Sequence, residues 1–498
     1  MNRQITRLAV ASIALIAALI VATTYWQTWA AGGLEARQDN AIQRVAEFTI
    51  DRGRVYAAGG RTVLAKNVWR KVDGKKYFYR RYPHGTLAPH IVGYANQSRS
   101  RAGIERSLND YLTGANGNLR SVADTKLDQL TGVTVRGNDL YLTLNVPAQR
   151  TAVKALKGSC GAAVALEPST GRVLALASSP TFNSNAVANG FNKIRNRRTR
   201  ACSFAAPLLD RATQGLYPPG STFKVVTGSA ALDSGAYTPD SEFIDPGYCV
   251  EYGKRVSNAG NPEIGPEIFG TLSLFTALQH SVNSVFCNIG KKIGAGTILD
   301  YAKKFGFYDQ PGIDLPLDAQ SPSGLYRRNK LFDPKNPATQ VDPGRLAFGQ
   351  ERLLVTPLQM ATVAATIANH GVRMRPYLVQ EVRTRDGKLV TRTKPHRERR
   401  VVSPKVAREI NEMMQAAVTG GTGTQAQIGG VAVAGKTGTA ETGVPGRYTT
   451  WFVAFAPADH LKVAVAVALE NQRGFGGETA APIAKEIMEA ILRKTSNT

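Results

Sequence analysis

The N-terminal segment constrains this chain most, because it is an almost uninterrupted apolar run. After Arg3 and Arg7 there is no charged residue until Glu35, and Leu8–Tyr25 consists almost entirely of Leu, Ile, Val and Ala. A helix of about twenty apolar residues is long enough to cross a bilayer. The sequence therefore predicts a single transmembrane helix over residues 8–29.

Aromatic residues at the outer end of this run support the same interpretation. Tyr25, Trp26 and Trp29 have the amphipathic rings that favour the membrane–water interface. A cleaved signal peptide is the alternative, but the run exceeds the usual apolar region of such peptides and no clean Ala-x-Ala site follows. The positive-inside rule then predicts a cytoplasmic tail at residues 1–7 and an extracytoplasmic chain beyond about residue 30.

The charge of the chain is compatible with several kinds of partner until this topology is considered. Lys and Arg number 62 against 37 Asp and Glu, which gives a formal net charge of +25. So basic a chain suits nucleic acid, an anionic membrane surface or an acidic polymer. For an extracytoplasmic chain, nucleic acid and cytosolic ATP are not expected as ligands.

The four cysteines are Cys160, Cys202, Cys249 and Cys287. Outside the cytoplasm they can form disulfides, and four cysteines allow three pairings between which the sequence does not decide. Burial as small unpaired apolar residues is equally compatible with their spacing. No Cys-x-x-Cys or His-x-x-x-His occurs, so neither a zinc site nor any other metal site is predicted.

The 498 residues exceed what one average domain requires. Residues 30–150 have strand-like runs at Val45–Ile50 and Arg61–Ala65 but no catalytic cluster, which indicates a smaller spacer, docking or dimerisation-like domain of mixed α/β structure. Residues 151–493 are predicted to form the larger unit, and residues 494–498 a frayed tail. The basic run from Lys193 to Arg200 is interpreted as a solvated loop, with contact to an anionic surface as the alternative.

The periodicity of apolar residues predicts the main elements of the larger unit. A strand and then a helix should open this unit, and Cys160–Leu166 with Arg172–Ser178 should form a β-hairpin across a Pro-Ser-Thr-Gly turn. The other predicted helices and strands are Leu140–Leu144 (strand), Val146–Leu156, Leu272–Leu278, Leu358–Ile367, Val406–Ala417 and Ala481–Leu492 (helices), and Gly430–Thr437, Thr450–Ala456 and Leu461–Leu469 (strands).

A first group of chemically active residues lies between Tyr217 and Lys224. Two prolines and a glycine precede Ser221, and the following residues favour a helix, so Ser221 should lie at a helix N-terminus. Residues three apart share a helix face, which allows the Lys224 amine to act as base for the Ser221 hydroxyl. Taken alone, a Ser-x-x-Lys pattern also occurs by chance.

Two further motifs follow at wide separations, Ser281-Val282-Asn283 and Lys436-Thr437-Gly438-Thr439. Ser281 can relay a proton between Lys224 and a leaving amine, and the Asn283 amide can bind a substrate peptide group. In the third motif, Lys436 supplies a cation and the two threonines supply hydroxyls. Gly438 permits close approach of a ligand. These residues are predicted at the end of a strand over Val431–Gly435.

The third motif overlaps a formal match to a phosphate-binding loop, Gly430 to Thr437. We reject that interpretation because the intervening Val-Ala-Val-Ala is typical of a strand, and because Gly438 and Thr439 do not begin a helix.

The order Ser-x-x-Lys, Ser-x-Asn, Lys-Thr-Gly is that of β-lactamases and penicillin-binding proteins. The chain resembles the class B penicillin-binding proteins, which are peptidoglycan D,D-transpeptidases, and most closely the penicillin-binding protein A type of actinobacteria. The resemblance covers about residues 38–492 and also includes Ala102–Glu105, Ala165–Gly171, Phe348–Gln350, Thr356–Ala361 and Trp451–Phe455.

The resemblance implies a fold and a set of roles. The fold is the α/β transpeptidase domain, a largely antiparallel sheet flanked by helices, with the active-site groove beside the strand of Lys436. Ser221 would be acylated, Lys224 and Ser281 would transfer protons, and Asn283, Lys436, Thr437, Gly438 and Thr439 would bind substrate. The Ser221 and Thr439 N–H groups would form the oxyanion hole. Stem peptides, β-lactams and a membrane glycosyltransferase are the implied partners, and no cofactor is implied.

Three other functions remain as alternatives. A β-lactamase or D,D-carboxypeptidase would share all three motifs and transfer the acyl group to water, although a released β-lactamase would need neither anchor nor spacer. A non-catalytic scaffold could bind cell-wall synthases through residues 35–150. A bifunctional glycosyltransferase is disfavoured because the spacer is too short.

Overall fold

The computed structural model describes residues 2–25, 48–96, 101–115, 134–199, 201–202, 206–261 and 265–493. Its N-terminal helix, Asn2–Thr24, begins before the predicted span, because no helix-breaking residue separates the basic tail from the apolar run. Within the described ranges it is the one helix long and apolar enough to cross a membrane. Trp26 and Trp29 lie outside the described residues.

The folded part is a mixed α/β structure. Its further α-helices are Pro89–Val92, Ile104–Ser107, Asn109–Thr113, Val146–Ala155, Val187–Arg195, Lys224–Asp233, Leu274–Gln279, Asn283–Lys304, Pro337–Gln340, Pro343–Ala347, Pro357–Ala368, Pro404–Thr419, Gly476–Thr479 and Ala481–Leu492. Short 3₁₀ turns are Ser184–Ala186, Gly220–Phe223, Leu317–Ala319 and Thr424–Ala426.

The strands form two larger sheets and several small hairpins. Outside the two larger sheets, the strands are Tyr94–Ala95, Arg101–Ala102, Glu242–Asp245, Tyr248–Glu251, Lys254–Ser257, Gly260–Asn261, Gly265–Pro266, Gly270–Ser273, Gly324–Arg327, Lys330–Leu331, Leu353–Leu354, Val372–Met374 and Arg397–Arg400.

The central sheet has five strands that are all antiparallel to their neighbours. In spatial order they are Ala434–Glu441, Tyr448–Ala456, Val463–Gln472, Gly161–Leu166 and Val173–Ser179. The last two strands form the predicted hairpin. Every residue of these two strands is buried, which explains why they are continuous apolar runs instead of alternating polar and apolar residues.

Helices cover both faces of the central sheet. Val146–Ala155 and Ala481–Leu492 pack on one face, where Ala148 and Ile487 join the sheet residues in one apolar cluster. Pro357–Ala368 packs on the other face and is buried along its whole length. Each fully buried aliphatic side chain contributes about 1.5–3 kcal/mol, so this layered core dominates the stability of the unit. The predicted antiparallel sheet with flanking helices is confirmed.

The second sheet, which we call the N-terminal sheet, combines two distant parts of the chain. Its strand order is Leu389–Arg392, Val379–Arg383, Asp139–Leu142, Val55–Tyr56, Val63–Val72 and Lys75–Arg81. The first two strands come from the segment predicted to belong to the larger unit. A boundary near residue 150 therefore divides the chain but does not divide this sheet.

Two disulfides join the four cysteines, and the sequence had left their pairing open. Cys160 bonds to Cys202, and Cys249 bonds to Cys287. The second bond ties the hairpin strand Tyr248–Glu251 to the helix Asn283–Lys304.

Three predicted elements differ from the structure in the first half of the chain. Residues 45–47 lie outside the described residues and 48–50 form a turn, not a strand. The strand predicted to end at Ala65 continues to Val72, because it pairs with Lys75–Arg81 in a long hairpin. The predicted basic loop is helical as far as Arg195, whose guanidinium lies 5.9 Å from the ring of Phe191.

The predicted helix Leu272–Leu278 begins at Leu274 instead. Residues Gly270–Ser273 form a strand with Glu242–Asp245, and the Ser273 hydroxyl then caps the helix by accepting the N–H of Thr276. The predicted strand Gly430–Thr437 likewise begins later, at Ala434, where pairing with Tyr448–Ala456 starts, and continues to Glu441. As predicted, no helix follows Thr437, so the segment is not a phosphate-binding loop.

Candidate active site

Ser221 lies in the 3₁₀ turn Gly220–Phe223, which leads directly into the helix Lys224–Asp233. This agrees with its predicted place at a helix start. Gly220 has a φ of +52°, and a Cβ at this position would lie 2.8 Å from the carbonyl oxygen of Thr439. Glycine is therefore required where the turn of Ser221 meets the strand Ala434–Glu441.

The amine of Lys224 is fully buried and held by the second motif. Its Nζ donates to the Ser281 carbonyl oxygen and to Asn283 Oδ1, both at 2.7 Å, and lies 3.3 Å from Ser281 Oγ. None of the hydrogen bonds among the described residues joins Lys224 to Ser221. Ser281 adopts a φ of +64°, a left-handed conformation that directs both its oxygens towards the amine.

Two causes act on the pKa of Lys224 in the same direction. Burial and, secondarily, the positive charge of Lys436 hold this pKa well below its usual range. A neutral amine carries two hydrogens and one lone pair, so the two short hydrogen bonds use its hydrogens and leave its lone pair free to accept a proton.

Asn283 is the first residue of the helix Asn283–Lys304. Both the oxygen and the nitrogen of its side-chain amide form hydrogen bonds within the protein. Its Oδ1 accepts from Lys224, and its Nδ2 donates to the Ser257 carbonyl oxygen at 2.9 Å. This orientation places the amide oxygen, which is an acceptor only, against the lysine amine. The sequence had suggested a substrate contact for this amide, and the second Nδ2 hydrogen has no acceptor among the described residues.

Lys436 is buried within the strand Ala434–Glu441, not at the end of a strand over Val431–Gly435. The prediction placed the strand too early because Val-Ala-Val-Ala has high strand propensity, whereas the pairing partner begins opposite Ala434. Burial lowers the pKa of Lys436 to about 7. Its Nζ donates to the carbonyl oxygen of Thr437 at 3.2 Å.

The two threonines of the third motif share the opposite side of this strand, because side chains alternate along a strand. Thr437 Oγ1 lies 2.6 Å from Thr422 Oγ1, and Thr439 Oγ1 accepts from the N–H of Gly476 at 3.2 Å. The Lys436 side chain and the two threonine hydroxyls therefore lie on different sides of the strand.

Gly438 serves the packing of the protein itself. A Cβ here would lie 2.8 Å from both the Pro219 carbonyl oxygen and Thr222 Cγ2. Close approach of the turn that contains Ser221 is thus a reason for this glycine that the sequence did not show, and the predicted close approach of a ligand stays a prediction.

A network that sequence reasoning missed lies behind the second motif. The buried Asp245 carboxylate accepts from Ser284 Oγ, Asn258 Nδ2 and two backbone N–H groups. The Asn258 side-chain oxygen in turn accepts the N–H of Ser284 at 2.9 Å. These bonds fix the first turn of the helix that begins at Asn283. No motif marks Asp245, because an Asp before Pro-Gly is typical of an ordinary turn.

A second unpredicted network holds the segment before Ser221. Glu470 accepts from the Tyr217 hydroxyl at 2.7 Å and from Arg211 Nε at 2.9 Å. Trp451 Nε1 donates to the Pro218 carbonyl oxygen at 2.9 Å. The described ranges contain no group of three or more His, Cys, Asp or Glu that could hold a metal ion.

Comparison with known families matches two parts of the chain. Residues 161–489 match the penicillin binding protein transpeptidase domain. Residues 52–140 match the penicillin binding protein A dimerisation domain.

Similar proteins and solved structures agree with these matches. The peptidoglycan D,D-transpeptidase PbpA of Mycolicibacterium smegmatis is 36% identical over 100% of both chains. The PbpA of Mycobacterium tuberculosis is 36% identical over 99% of both chains. A structure of penicillin-binding protein A from M. tuberculosis as a penicillin G acyl-enzyme complex has a TM-score of 0.77 and 33% identity, and covers 89% of this chain and 100% of that one. The chain therefore belongs to the penicillin-binding protein transpeptidase family.

Proposed function

We propose that this protein is a peptidoglycan D,D-transpeptidase that cross-links stem peptides through a Ser221 acyl-enzyme. The observation that carries the proposal is the Lys224 amine, which is buried, has a lowered pKa and is held by Ser281 and Asn283 one helical turn from Ser221. Its family membership and the D,D-transpeptidase names of its relatives support the same reaction.

The reaction has two acyl-transfer steps. The Ser221 oxygen bonds to the D-Ala–D-Ala carbonyl carbon while its proton passes to the Lys224 lone pair. Collapse of the tetrahedral intermediate breaks the peptide bond, and the D-Ala amine takes a proton returned through Ser281 Oγ. An acceptor amine then attacks the ester, loses a proton by the same route and releases Ser221.

The proposed substrate contacts use the strand Ala434–Glu441, which lies at the edge of the central sheet. One row of its backbone N–H and C=O groups faces away from the sheet, where an extended peptide can pair. Lys436, Thr437 and Thr439 would receive the terminal carboxylate, and Asn283 would contact the substrate through its remaining hydrogen. The N–H groups of Ser221 and Thr439 would stabilise the oxyanion.

The proposal extends to location and partners. The helix Asn2–Thr24, with Arg3 and Arg7 at its start, would anchor the protein by a single pass with the catalytic unit on the extracytoplasmic side. A transpeptidase acts on glycan strands that another enzyme polymerises, so a membrane glycosyltransferase is the proposed partner. β-Lactams would acylate Ser221 in place of the stem peptide.

Labelling of the full chain in detergent micelles with fluorescent penicillin tests the proposal. The wild-type protein should acquire one stable adduct, located on Ser221 by mass spectrometry, and Ser221→Ala should acquire none. Labelling of Ser221→Ala at the wild-type rate would exclude this nucleophile. Release of hydrolysed drug within seconds would favour a β-lactamase, and failure of a D-amino acid to exchange into a model peptide would favour a carboxypeptidase.

A further inference from the structure

The N-terminal sheet ends in a long hairpin, Val63–Val72 and Lys75–Arg81, which we call the basic hairpin. We propose that the basic hairpin docks on the anionic surface of the membrane that holds the N-terminal helix, and so fixes the height and orientation of the folded part. This inference depends on the proposed anchoring and not on the proposed reaction.

The composition of the basic hairpin fits an anionic surface. Residues 63–81 contain seven Lys and Arg and one acid, Asp73. Among the described residues only Arg80 of these seven pairs with a carboxylate, that of Glu105. Elsewhere in the same sheet cations have acidic partners, as Arg385 does in Asp51 and Asp139. The charge of the hairpin is therefore left largely uncompensated within the described part of the chain.

The strand register places like charges directly opposite one another. Lys71 is opposite Lys76, and Lys66 is opposite Arg81. Such cross-strand pairs are destabilising in an isolated protein. An anionic surface at the face of Lys71 and Lys76 would relieve the repulsion there, whereas Lys66 and Arg81 lie on the other face because side chains alternate along a strand. A second basic hairpin would increase the repulsion, so pairing of two copies through this hairpin is disfavoured.

Exposed apolar side chains distinguish a bilayer from a soluble polyanion as the partner. Trp69 is 58% exposed, and Val68 and Val72 are 44% and 46% exposed. The Lys76 ammonium lies 5.0 Å from the centre of the Trp69 ring. Tryptophan next to lysine is typical of the membrane–water interface, where the ring enters the head-group region and the cation stays among the phosphates.

The path of the chain leads from the anchor helix to the hairpin. The anchor helix ends at Thr24, and the described chain resumes at Phe48. The Phe48 carbonyl oxygen accepts from the N–H of Phe78 at 2.6 Å, and its ring centre lies 6.2 Å from that of Tyr79. The segment that leaves the anchor therefore joins the described fold at the hairpin, after a linker that spans at most about 80 Å.

Fluorescence quenching in nanodiscs tests the proposal with the full chain. The protein is reconstituted in discs of phosphatidylcholine with or without phosphatidylglycerol, both with brominated acyl chains. Trp69 emission, obtained by subtracting the signal of Trp69→Phe, should be quenched and blue-shifted only in the anionic discs. Each lysine near an anionic surface favours docking about fivefold, so Lys71→Glu with Lys76→Glu should lower the docked-to-free ratio about twentyfold or more.

A matched charge change elsewhere is the control. Lys330 and Lys335 are exposed lysines of the catalytic unit, and Lys330→Glu with Lys335→Glu should leave the Trp69 signal unchanged. Both double variants should melt close to the wild-type temperature by circular dichroism, which shows that they fold.

Several results would overturn the proposal. They are equal Trp69 emission in the two kinds of disc, equal effects of the two double variants, and a signal that appears only with two copies per disc. Failure of the protein to co-elute with discs would overturn it together with the anchor. None of these outcomes depends on whether Ser221 reacts with penicillin.

Discussion

Two regions of this molecule bury charged side chains, and they do so in opposite ways. In the N-terminal part, Glu105 is fully buried between Arg52 at 3.0 Å and Arg80 at 2.5 Å. In the site, Lys224 and Lys436 are fully buried, and neither makes a salt bridge among the described residues. One region buries a carboxylate with opposite charges, and the other buries two amines that no carboxylate neutralises.

The pKa directions follow from this difference. Burial by itself would raise the pKa of Glu105, but the charges of Arg80 and Arg52 outweigh it and the pKa is lowered. For Lys224, burial and the charge of Lys436 both lower the pKa. Burial thus produces a permanent ion in one region and a neutral base in the other, and the neighbours decide which.

The largest expected effect comes from restoring a fixed charge at the site. Lys224→Arg keeps a cation that cannot lose its proton, and we expect acylation by penicillin to slow by about 10²–10⁴-fold. Stopped-flow measurement of the acylation rate checks this. Lys224→Met, which removes both the charge and the base, should be equally impaired. Acylation of Lys224→Arg within a few-fold of wild type would mean that Lys224 is not the proton acceptor.

The second prediction concerns the buried ion pairs that Glu105 forms in the N-terminal part. Glu105→Gln leaves Arg52 and Arg80 buried without a carboxylate, which should lower the free energy of unfolding by about 3–5 kcal/mol. Urea denaturation measures the change. Asp318→Asn removes an exposed ion pair with Arg106 and should cost less than about 1 kcal/mol. The acylation rate of folded Glu105→Gln should equal that of wild type, and a slowed rate would show that the two regions are coupled.

Part of the active site could be predicted from the sequence, and part of it could not. The order of the three motifs correctly predicted that Lys224, Ser281 and Lys436 meet, because a family pattern carries spatial information that spacing alone does not. It did not predict what the Asn283 amide contacts, since that depends on Ser257, which lies on a separate hairpin.

Long-range pairing explains the remaining differences. Apolar runs in the central sheet identified the strands, but the start of the strand that contains Lys436 depends on its partner, Tyr448–Ala456. In the same way, nothing local in Val379–Arg383 indicates that it pairs with Asp139–Leu142. The disulfide pairing depended on the fold for the same reason.

The third prediction uses pH to separate the two regions. The pKa of Lys436 is about 7 in the folded protein, below the 10.5 of an ordinary lysine. Between these values the unfolded chain binds a proton at this lysine that the folded protein lacks, so Lys436 should make stability rise as pH increases from 7 to 9, by up to about 1.4 kcal/mol per pH unit, in addition to the rise that the lowered pKa of Lys224 produces. Urea titrations at several pH values should show a smaller slope for Lys436→Met.

Glu105 supplies the contrast in this experiment. Its pKa is lowered on folding, so its contribution is complete above the unfolded value of 4.5 and is lost as pH falls through the folded value. From pH 7 to 9 it is ionised in both states, and Glu105→Gln should keep the wild-type slope. Equal slopes for wild type and Lys436→Met would indicate that folding does not lower the pKa of Lys436.

The smallest expected effect concerns Asp245, the buried carboxylate behind the second motif. Asp245 acts through Ser284 and Asn258 on the helix turn of Asn283, so it positions the Lys224 amine through neutral groups. Ser284→Ala removes one of these bonds, and a net hydrogen bond is worth about 0.5–1.5 kcal/mol. Acylation should therefore slow by roughly three- to tenfold, with unchanged non-covalent affinity for penicillin.

Ser229→Ala is the matched control for this change. Ser229 is also fully buried, and among the residues that the structure describes its hydroxyl bonds only the Val225 carbonyl oxygen, within the helix of Lys224. It should lower stability by a similar amount while acylation stays within twofold of wild type. Ser284→Thr, which keeps the hydroxyl, should restore most of the rate. If Ser284→Ala and Ser229→Ala acylate equally fast, the Asp245 network supports only the fold, and the orientation of the amine depends on Asn283 and Ser257 alone.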